Sequence, residues 1–204
     1  MYNPPHFRID DRTVAGEFID RHGFAVLVSD DNGAPTASHL PLLLDRDVGP
    51  RGRLVGHMAR PNPQWKTLRP DREVLAIFAG PHAYISPSWY TVSPAVPTWN
   101  YATVHAYGLP KLIEDEAAVR ALLRRTVDKY EGGRPRPWTM DLPEDYLRNM
   151  MRGIVAFELQ LTRVETKFKL NQNRSAEDRA AVIAALRESG GADERATAEM
   201  MAGR

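Results

Sequence analysis

The chain has 204 residues and a formal net charge of +1, which allows one ordinary domain or two small ones. It contains no cysteine, so a disulfide scaffold, a thiolate metal site and a cysteine nucleophile are excluded. The near-neutral charge gives no argument for binding to nucleic acid or to a membrane surface. No apolar run approaches the roughly 18 residues that span a bilayer, and the first residues lack an apolar signal core. We therefore expect a cytoplasmic protein.

The first half of the sequence predicts strands joined by short turns. A short helix over 10–23 comes first, with Val14, Phe18 and Ile19 on one side. Pro41 predicts an edge or a bulge in its strand, because proline cannot donate to a ladder. The predicted strands are 23–29, 35–45, 53–59, 72–80 and 98–108.

The hydrophobic period changes after this region. Val119, Leu122 and Leu123 fall on one helical stripe, and Ser175 with Asp178 forms a capping box. The pattern predicts helices over 114–131, 144–153 and 175–191, and one long strand over 154–170. Many strands with few helices between them favour an antiparallel barrel over parallel βαβ units. We predict a mainly β fold with peripheral helices, in the α+β class.

The stretch 80–108 gathers tryptophan, tyrosine, histidine and proline side chains. Alternation along the strand 98–108 places its large side chains, among them Trp99 and His105, on one face and small ones on the other. The bulky face could be the wall of a ligand site, a subunit interface, or an outer face that packs against a helix. The pattern leaves these alternatives open.

Two polar segments could bind an anion. In 56–65, a strand that carries His57 leads into Arg60 and a turn stiffened by prolines, and a planar guanidinium suits phosphate. Asn62 alone is typical of a helix cap. The segment 167–175 is, by composition, a solvated connection between a strand and a helix.

The histidines show no HxxxH or HExxH spacing, so we predict no protein-built metal site. No GxSxG elbow, P-loop or GxGxxG is present. The segments 56–65, 76–90 and 96–108 contain no Asp or Glu, so their histidines lack a local carboxylate. These segments therefore offer no local acid–base pair of the kind that catalytic proton transfer usually needs.

Several long motifs together resemble the PaiB family, which is described as FMN-binding, negative transcriptional regulators. The motifs are "MYNPPHF" (1–7), "SHLPLLL" (38–44), "GHMARPNPQW" (56–65), "AIFAGPHAYISPSWY" (76–90), "VPTWNYATVHAYG" (96–108) and "KLNQNR" (169–174). The resemblance runs to about residue 187. We therefore expect a single domain over 1–187 and a flexible tail over 188–204.

The resemblance implies a split β-barrel of the pyridoxamine-phosphate-oxidase and flavin-reductase type, with FMN as cofactor. It also implies a homodimer with the flavin at the subunit interface, and it extends the segment after the long strand into the site. The side chains that it implies as cofactor contacts are Ser38, His39, His57, Arg60, Asn62, Trp65, Ser86, Ser88, Trp89, Thr98, Trp99, Lys169, Gln172, Asn173 and Arg174.

The function that follows is a redox-linked or negative transcriptional regulator, or a flavin-dependent oxidoreductase. One alternative is haem on the same barrel, with His39, His57, His82 or His105 as an axial ligand. Another is a DNA-binding repressor. The chain offers no helix-turn-helix pattern and no basic stripe, so direct DNA binding is disfavoured.

Overall fold

The computed structural model describes residues 1–203, in which the chain forms seven strands and five α-helices. The strands are β1 (Arg8–Ile9), β2 (Phe24–Asp31), β3 (Ala34–Asp45), β4 (Arg53–Ala59), β5 (Val74–Ile85), β6 (Thr98–Ile113) and β7 (Ile154–Lys169). The helices are α1 (Arg12–Arg21), α2 (Glu116–Glu131), α3 (Glu144–Arg152), α4 (Ala176–Glu188) and α5 (Ala192–Ala202). Single 3-10 turns cover Pro5–Phe7, Pro63–Thr67 and Pro87–Trp89. None of the helices in this part of the chain is long and apolar enough to cross a membrane.

The strands form one antiparallel sheet in the order β1-β7-β4-β3-β2-β5-β6, and β6 also pairs with β7. This extra pairing closes six of the strands into a ring, with β1 added outside it. Closure removes the open edges that would otherwise expose unpaired backbone groups. The predicted mainly β, antiparallel barrel is confirmed.

Pro41 lies where β3 changes its partner. The first part of β3 pairs with β2 up to Pro41 opposite Phe24, and the pairing with β4 begins at Leu42 opposite Gly56. The missing N–H of proline therefore falls at a joint between two ladders. The predicted edge or bulge is in fact a change of partner, which equally spares the proline a ladder bond.

The chain divides into two compact units. Unit 1 comprises Met1–His22, Phe78–His105 and the chain from Glu165 onward. Unit 2 comprises Gly23–Ile77 and Ala106–Val164. The long strands β5, β6 and β7 contribute residues to both units.

The core of unit 2 lies beneath α2 and α3. Val119 and Leu122 of α2 and Leu147 and Met151 of α3 pack in one cluster with β-strand residues such as Val55. This is the stripe predicted from the period of α2. Asp115 begins that helix by accepting a hydrogen bond from the backbone N–H of Ala118 at 2.7 Å, as an N-cap does.

In unit 1, α4 begins at the predicted cap, where Ser175 Oγ accepts from the backbone N–H of Asp178 at 3.1 Å. The segment predicted as a tail contains α5, which packs against α4. Thr197, Ala198 and Met201 of α5 are buried. This helix lacks a strong apolar stripe, which explains why the sequence pattern did not indicate it.

The strand β6 alternates as predicted, and its small residues face the core. Asn100, Ala102 and Val104 are almost fully buried, whereas Trp99 is 53% exposed. Small side chains let the neighbouring layers approach closely. The large rings of β6 therefore remain available at the surface.

Candidate functional site

The residues that sequence analysis singled out fall into two groups, one in each unit, and each group is described by itself. In unit 2, Asn62 joins two segments. Its Nδ2 donates to Ser38 Oγ at 2.8 Å, and its Oδ1 accepts from the backbone N–H of Gln64 at 3.0 Å. Asn62 is thus both the predicted cap of the turn Pro63–Thr67 and a link to β3.

Gln64 organises this group and was missed by sequence analysis. It is 2% exposed, and its Nε2 lies 2.9 Å from the carbonyl oxygen of Leu27, 3.0 Å from Ser29 Oγ and 3.3 Å from the carbonyl oxygen of Thr36. Its Oε1 is buried and has no protein partner within residues 1–203. The only sequence signal was its place in the motif 56–65, since a glutamine after a proline turn is otherwise typical of a surface.

Arg60 is fastened to the end of α3. Its Nε donates to the carbonyl of Arg152 at 2.7 Å and its Nη2 to the carbonyl of Ile154 at 2.8 Å. Carbonyls at a helix C-terminus attract cations, so this guanidinium stabilises the helix end. Trp65 Nε1 donates to the carbonyl of Arg60 at 3.0 Å, which fixes the turn below it.

The two histidines of unit 2 differ in environment. His39 is exposed, and its ring centroid lies 6.1 Å from that of Phe24. His57 is half-buried, and burial lowers the pKa of its imidazole. We therefore expect His57 to be neutral at physiological pH.

In unit 1 the structure brings together Lys169, Thr98 and Trp99. Lys169 Nζ donates to Thr98 Oγ1 and to the carbonyl of Trp99, the latter at 2.6 Å. Burial, and then the neighbouring charge of Lys167, lower the pKa of Lys169. This is a half-buried cation held by neutral oxygens, and an added anion would stabilise it.

The indole of Trp99 is flanked by other rings. The centroid of His82 lies 6.1 Å away, and that of Tyr84 lies 6.0 Å away in an edge-on arrangement. Tyr84 is 46% exposed. Together these rings form an aromatic surface, and Lys169 contacts Trp99 through the backbone carbonyl of that residue.

The turn after β5 supplies hydroxyl groups. Ser86 Oγ lies 2.7 Å from Ser88 Oγ and also accepts from the backbone N–H of Ser88, so Ser86 caps the turn that contains Trp89. Trp89 is half-buried.

The predicted segment after β7 closes on itself. Gln172 accepts from the backbone N–H of Leu170 at 2.7 Å and donates to the carbonyl of Phe168 at 2.5 Å. The guanidinium of Arg174 lies 4.3 Å from the ring centroid of Tyr90. Asn173 is exposed. Gln172 therefore serves the turn, whereas Arg174 presents a second cation.

Lys167 begins the segment 167–175 that sequence analysis singled out as a solvated connection, and its burial was not predicted. It is 5% exposed, donates to the carbonyl of Tyr2 at 2.9 Å, and lies 5.3 Å and 5.2 Å from the ring centroids of Tyr2 and Tyr101. Cation–π attraction stabilises a desolvated ammonium in this setting. These contacts give the motif "MYNPPHF" (1–7) a structural role, because Tyr2 covers the buried charge of Lys167.

Acid–base chemistry has weak support in either group. The pKa of His105 is lowered, first by burial and then by the terminal amine, against a smaller opposing effect of Glu165. Its Nδ1 is buried without a partner in the described part of the chain. No histidine of residues 1–203 is hydrogen-bonded to a carboxylate, and no group of metal-ligating side chains occurs there.

The fold is that of flavin-type split barrels. The flavocytochrome Anf3 of Azotobacter vinelandii superposes with a TM-score of 0.62 at 19% identity, covering 85% of this chain and 75% of that one. The FAD and haem binding protein of Mycobacterium smegmatis gives 0.61 at 18% identity, covering 90% and 80%. These likenesses establish the fold class.

The family model described as "Putative FMN-binding domain" matches residues 1–163. The Bacillus subtilis protein named "Protease synthase and sporulation protein PAI 2" is 36% identical over 203 residues, 98% of this chain and 96% of that protein. An uncharacterized protein of Aspergillus fumigatus is 35% identical over 195 residues, 72% of this chain and 74% of that protein. The chain belongs to the PaiB-like FMN-binding family, as predicted, and FMN is its cofactor.

The donor set of unit 1 fits this cofactor. Lys169 offers a cation, Ser86 and Ser88 offer hydroxyls, and the exposed indole of Trp99 suits a flat ring. Asp178 Oδ1 accepts from both the backbone N–H and the hydroxyl of Thr91, at 2.7 and 2.8 Å, which ties this carboxylate to the segment after β5. In unit 2 the Ser38–Asn62 pair also carries suitable donors, although much of their capacity is used within the fold.

Proposed function

We propose that the flavin phosphate binds at Lys169, with the hydroxyls of Ser86 and Ser88 and the guanidinium of Arg174 as further donors. The single observation that supports this assignment best is the half-buried ammonium of Lys169, whose hydrogen bonds within residues 1–203 go to neutral oxygens, those of Thr98 and Trp99. A dianionic phosphate would supply the missing negative charge. Trp99 would then pack against the isoalloxazine ring.

We propose a second, independent group of flavin contacts in unit 2. It comprises the pair Ser38–Asn62 and the neighbouring His39, His57, Arg60 and Trp65. Apart from Arg60, whose guanidinium is held by two backbone carbonyls, these residues supply neutral hydrogen-bonding groups or rings rather than a fixed charge. Variants in each group separate the two assignments, because the loss of a charge contact and the loss of a neutral hydrogen bond differ in size.

The reaction that this chemistry favours is redox. FMN, when bound, supplies hydride and single-electron transfer, and the protein needs to bind, orient and shield it. General acid–base catalysis usually requires a histidine or carboxylate oriented by a neighbour. The absence of such a hydrogen-bonded pair within residues 1–203 supports a flavin-reductase-like or redox-sensing role.

A homodimer completes the proposal. The aromatic surface of Trp99 and Tyr84 continues a run of exposed apolar residues that includes Val92 and Val96. Exposed apolar surface of this kind is typical of interaction sites. A second copy of the chain covering it should bury on the order of 2,000 Å² or more in total. Light scattering at micromolar concentration checks this, and a stable monomer would argue against it.

We further propose that the redox state of the flavin is linked to regulation. The name of the Bacillus subtilis relative connects that protein with protease synthesis and sporulation. Direct DNA binding would appear as an affinity that falls steeply with salt. If no such binding is found, regulation through a protein partner or a small molecule remains the proposal.

The experiment is anaerobic mixing of the FMN-loaded protein with NADH or NADPH. Bleaching of the flavin absorbance within seconds is expected for a reductase. The control is the same mixture with free FMN at the same concentration. No bleaching, together with a haem complex of fixed stoichiometry and a strong Soret band, would overturn the flavin role in favour of haem.

A further inference from the structure

A cleft of about 430 Å³ opens in unit 2 between α2, α3 and the ends of β4, β6 and β7. This volume lies in the range of small-molecule sites. Its floor is apolar, with Leu112, Val119, Met151 and Val155 among the lining residues, and Trp65 contributes an aromatic wall. Val119 and Met151 belong to the core cluster of the unit, so this part of the floor is formed by packed helices rather than by loops.

Arginines lie around this apolar floor. Arg60, Arg148 and Arg152 all line the cleft. Arg152 is exposed, its carbonyl accepts from Arg60 Nε, and its guanidinium has no hydrogen bond or ion pair among residues 1–203. Arg60 is held by two carbonyls, which leaves its Nη1 without a protein acceptor in the same part of the chain. Two guanidinium groups that line one cleft and keep unused donors suit a carboxylate, which can accept from both.

The acidic residues of the cleft limit the charge of a ligand. Glu116 is engaged by Arg148 at 3.5 Å and by Arg120 at 3.7 Å. Glu114 is exposed and lines the cleft without a described ion pair. The remaining positive excess is therefore small, and a doubly charged phosphate would meet repulsion from Glu114. A single negative charge on an apolar body matches both the rim and the floor.

We propose that this cleft binds an organic monoanion, a carboxylate attached to an aliphatic or aromatic body. The apolar part would cover the floor between α2 and α3, and the carboxylate would accept from Arg152 and Arg60. The site does not rest on the proposed flavin contacts of unit 1. The chain would then have a second ligand, and binding of this ligand could control the proposed regulatory role.

The test uses octanoate as the probe, with octanol as the neutral match and octylamine as the cationic one. Isothermal titration should show octanoate binding at least tenfold more tightly than either match, since only the carboxylate satisfies the arginines. Arg152→Gln should weaken octanoate binding about tenfold, the size expected for a charge-assisted hydrogen bond. Arg124→Gln, on the exposed surface of α2 and outside the cleft, is the matched control and should change nothing.

Equal binding of octanoate and octanol, or equal affinities of the Arg152 and Arg124 variants, would overturn the proposal. No measurable octanoate binding by the folded protein would do so as well. The titration is repeated with FMN bound. Octanoate affinity should stay unchanged if the flavin is held by the unit 1 contacts alone, whereas competition between FMN and octanoate would assign Arg60, Trp65 and the cleft to the flavin instead. Failure of the flavin proposal, seen as absent FMN binding, leaves the octanoate result unaffected, so the two proposals fail separately.

Discussion

The two groups of polar residues use their donors differently. In unit 2, the side chains of Asn62, Gln64 and Arg60 form hydrogen bonds within the fold. Their acceptors are Ser38, backbone carbonyls and the end of α3. In unit 1, Lys169 keeps a half-buried charge that is hydrogen-bonded to the backbone carbonyl of Trp99, whose side chain is half exposed. Substitutions of similar polar residues should therefore have different effects in the two units. Substitutions in the first group should cost mainly stability, and those in the second should cost mainly ligand affinity.

The largest expected effect is on folding, at Gln64. Gln64→Ala removes the donor to two carbonyls and to Ser29 Oγ inside the barrel wall. Buried acceptors left unpaired are costly, so the free energy of unfolding should fall by about 3 kcal/mol. Urea denaturation measures it. The control is Gln160→Ala, which loses one bond of 3.3 Å and should cost about 1 kcal/mol or less. Equal costs would show that Gln64 is not the organiser of unit 2.

Next in size is the effect of Lys169→Gln on FMN binding. Loss of a charge-assisted contact to the phosphate should weaken binding by about 2 kcal/mol, or roughly thirtyfold in Kd. Flavin fluorescence titration measures this value. Lys111→Gln, at an exposed position of β6, provides the control. An unchanged Kd for the Lys169 variant would move the phosphate away from unit 1.

The Arg60→Ala variant tests the polar group of unit 2, for which we expect a loss of stability rather than of ligand affinity. Because the Arg60 guanidinium holds the end of α3, the variant should lose about 1 kcal/mol of stability. Its FMN affinity should change less than that of Lys169→Gln. Thermal unfolding and the same fluorescence titration give both values. A loss of affinity as large as that at Lys169, without a loss of stability, would instead support the phosphate contact predicted for Arg60 from the sequence.

The smallest expected effect is a pH dependence. The pKa of Lys169 is lowered by burial and by Lys167, so the free protein loses this charge at a lower pH than an ordinary lysine does. FMN affinity should therefore decline with rising pH, and the decline should begin at a lower pH than for a lysine with the ordinary pKa of about 10.4. Lys169→Arg stays protonated there and should flatten the decline. Titrations at several pH values check this. An identical decline in both proteins would assign it to another group.

The same pKa shift changes the free energy of unfolding in the opposite direction to the FMN affinity, so stability rises with pH. A lysine whose pKa is lowered in the folded state binds its proton more weakly there than in the unfolded chain. Its contribution to the free energy of unfolding therefore rises with pH between the lowered and the ordinary pKa. Below that window, the protonated Lys169 opposes folding, and a bound phosphate would relieve this cost.

The elements that sequence analysis predicted well are those with a clear period or a clear local cap. The stripe of α2, the alternation of β6 and the cap at Ser175 are set by neighbours in the sequence. What it missed depends on tertiary contact. Gln64 and Lys167 are polar residues that fold into buried positions because distant carbonyls and rings receive them. The helix α5 also has no apolar stripe of its own, since its burial arises from packing against α4.

The candidate site was predicted in its composition rather than in its arrangement. The link between Lys169, Thr98 and Trp99 joins motifs about 70 residues apart, which no spacing rule could indicate. The link between Asn62 and Ser38 is similar in kind. The resemblance to the PaiB family indicated these residues as cofactor contacts, and the structure supplies the hydrogen bonds between them.

The most direct test of the central claim compares FMN with riboflavin, which lacks the phosphate, in the wild-type protein and in Lys169→Gln. The wild type should prefer FMN by roughly thirtyfold or more, since only FMN offers a charged group to Lys169. In the variant, the preference should largely disappear, through loss of FMN affinity with little change in riboflavin affinity. An FMN preference that is the same in both proteins would contradict the placement of the phosphate at Lys169.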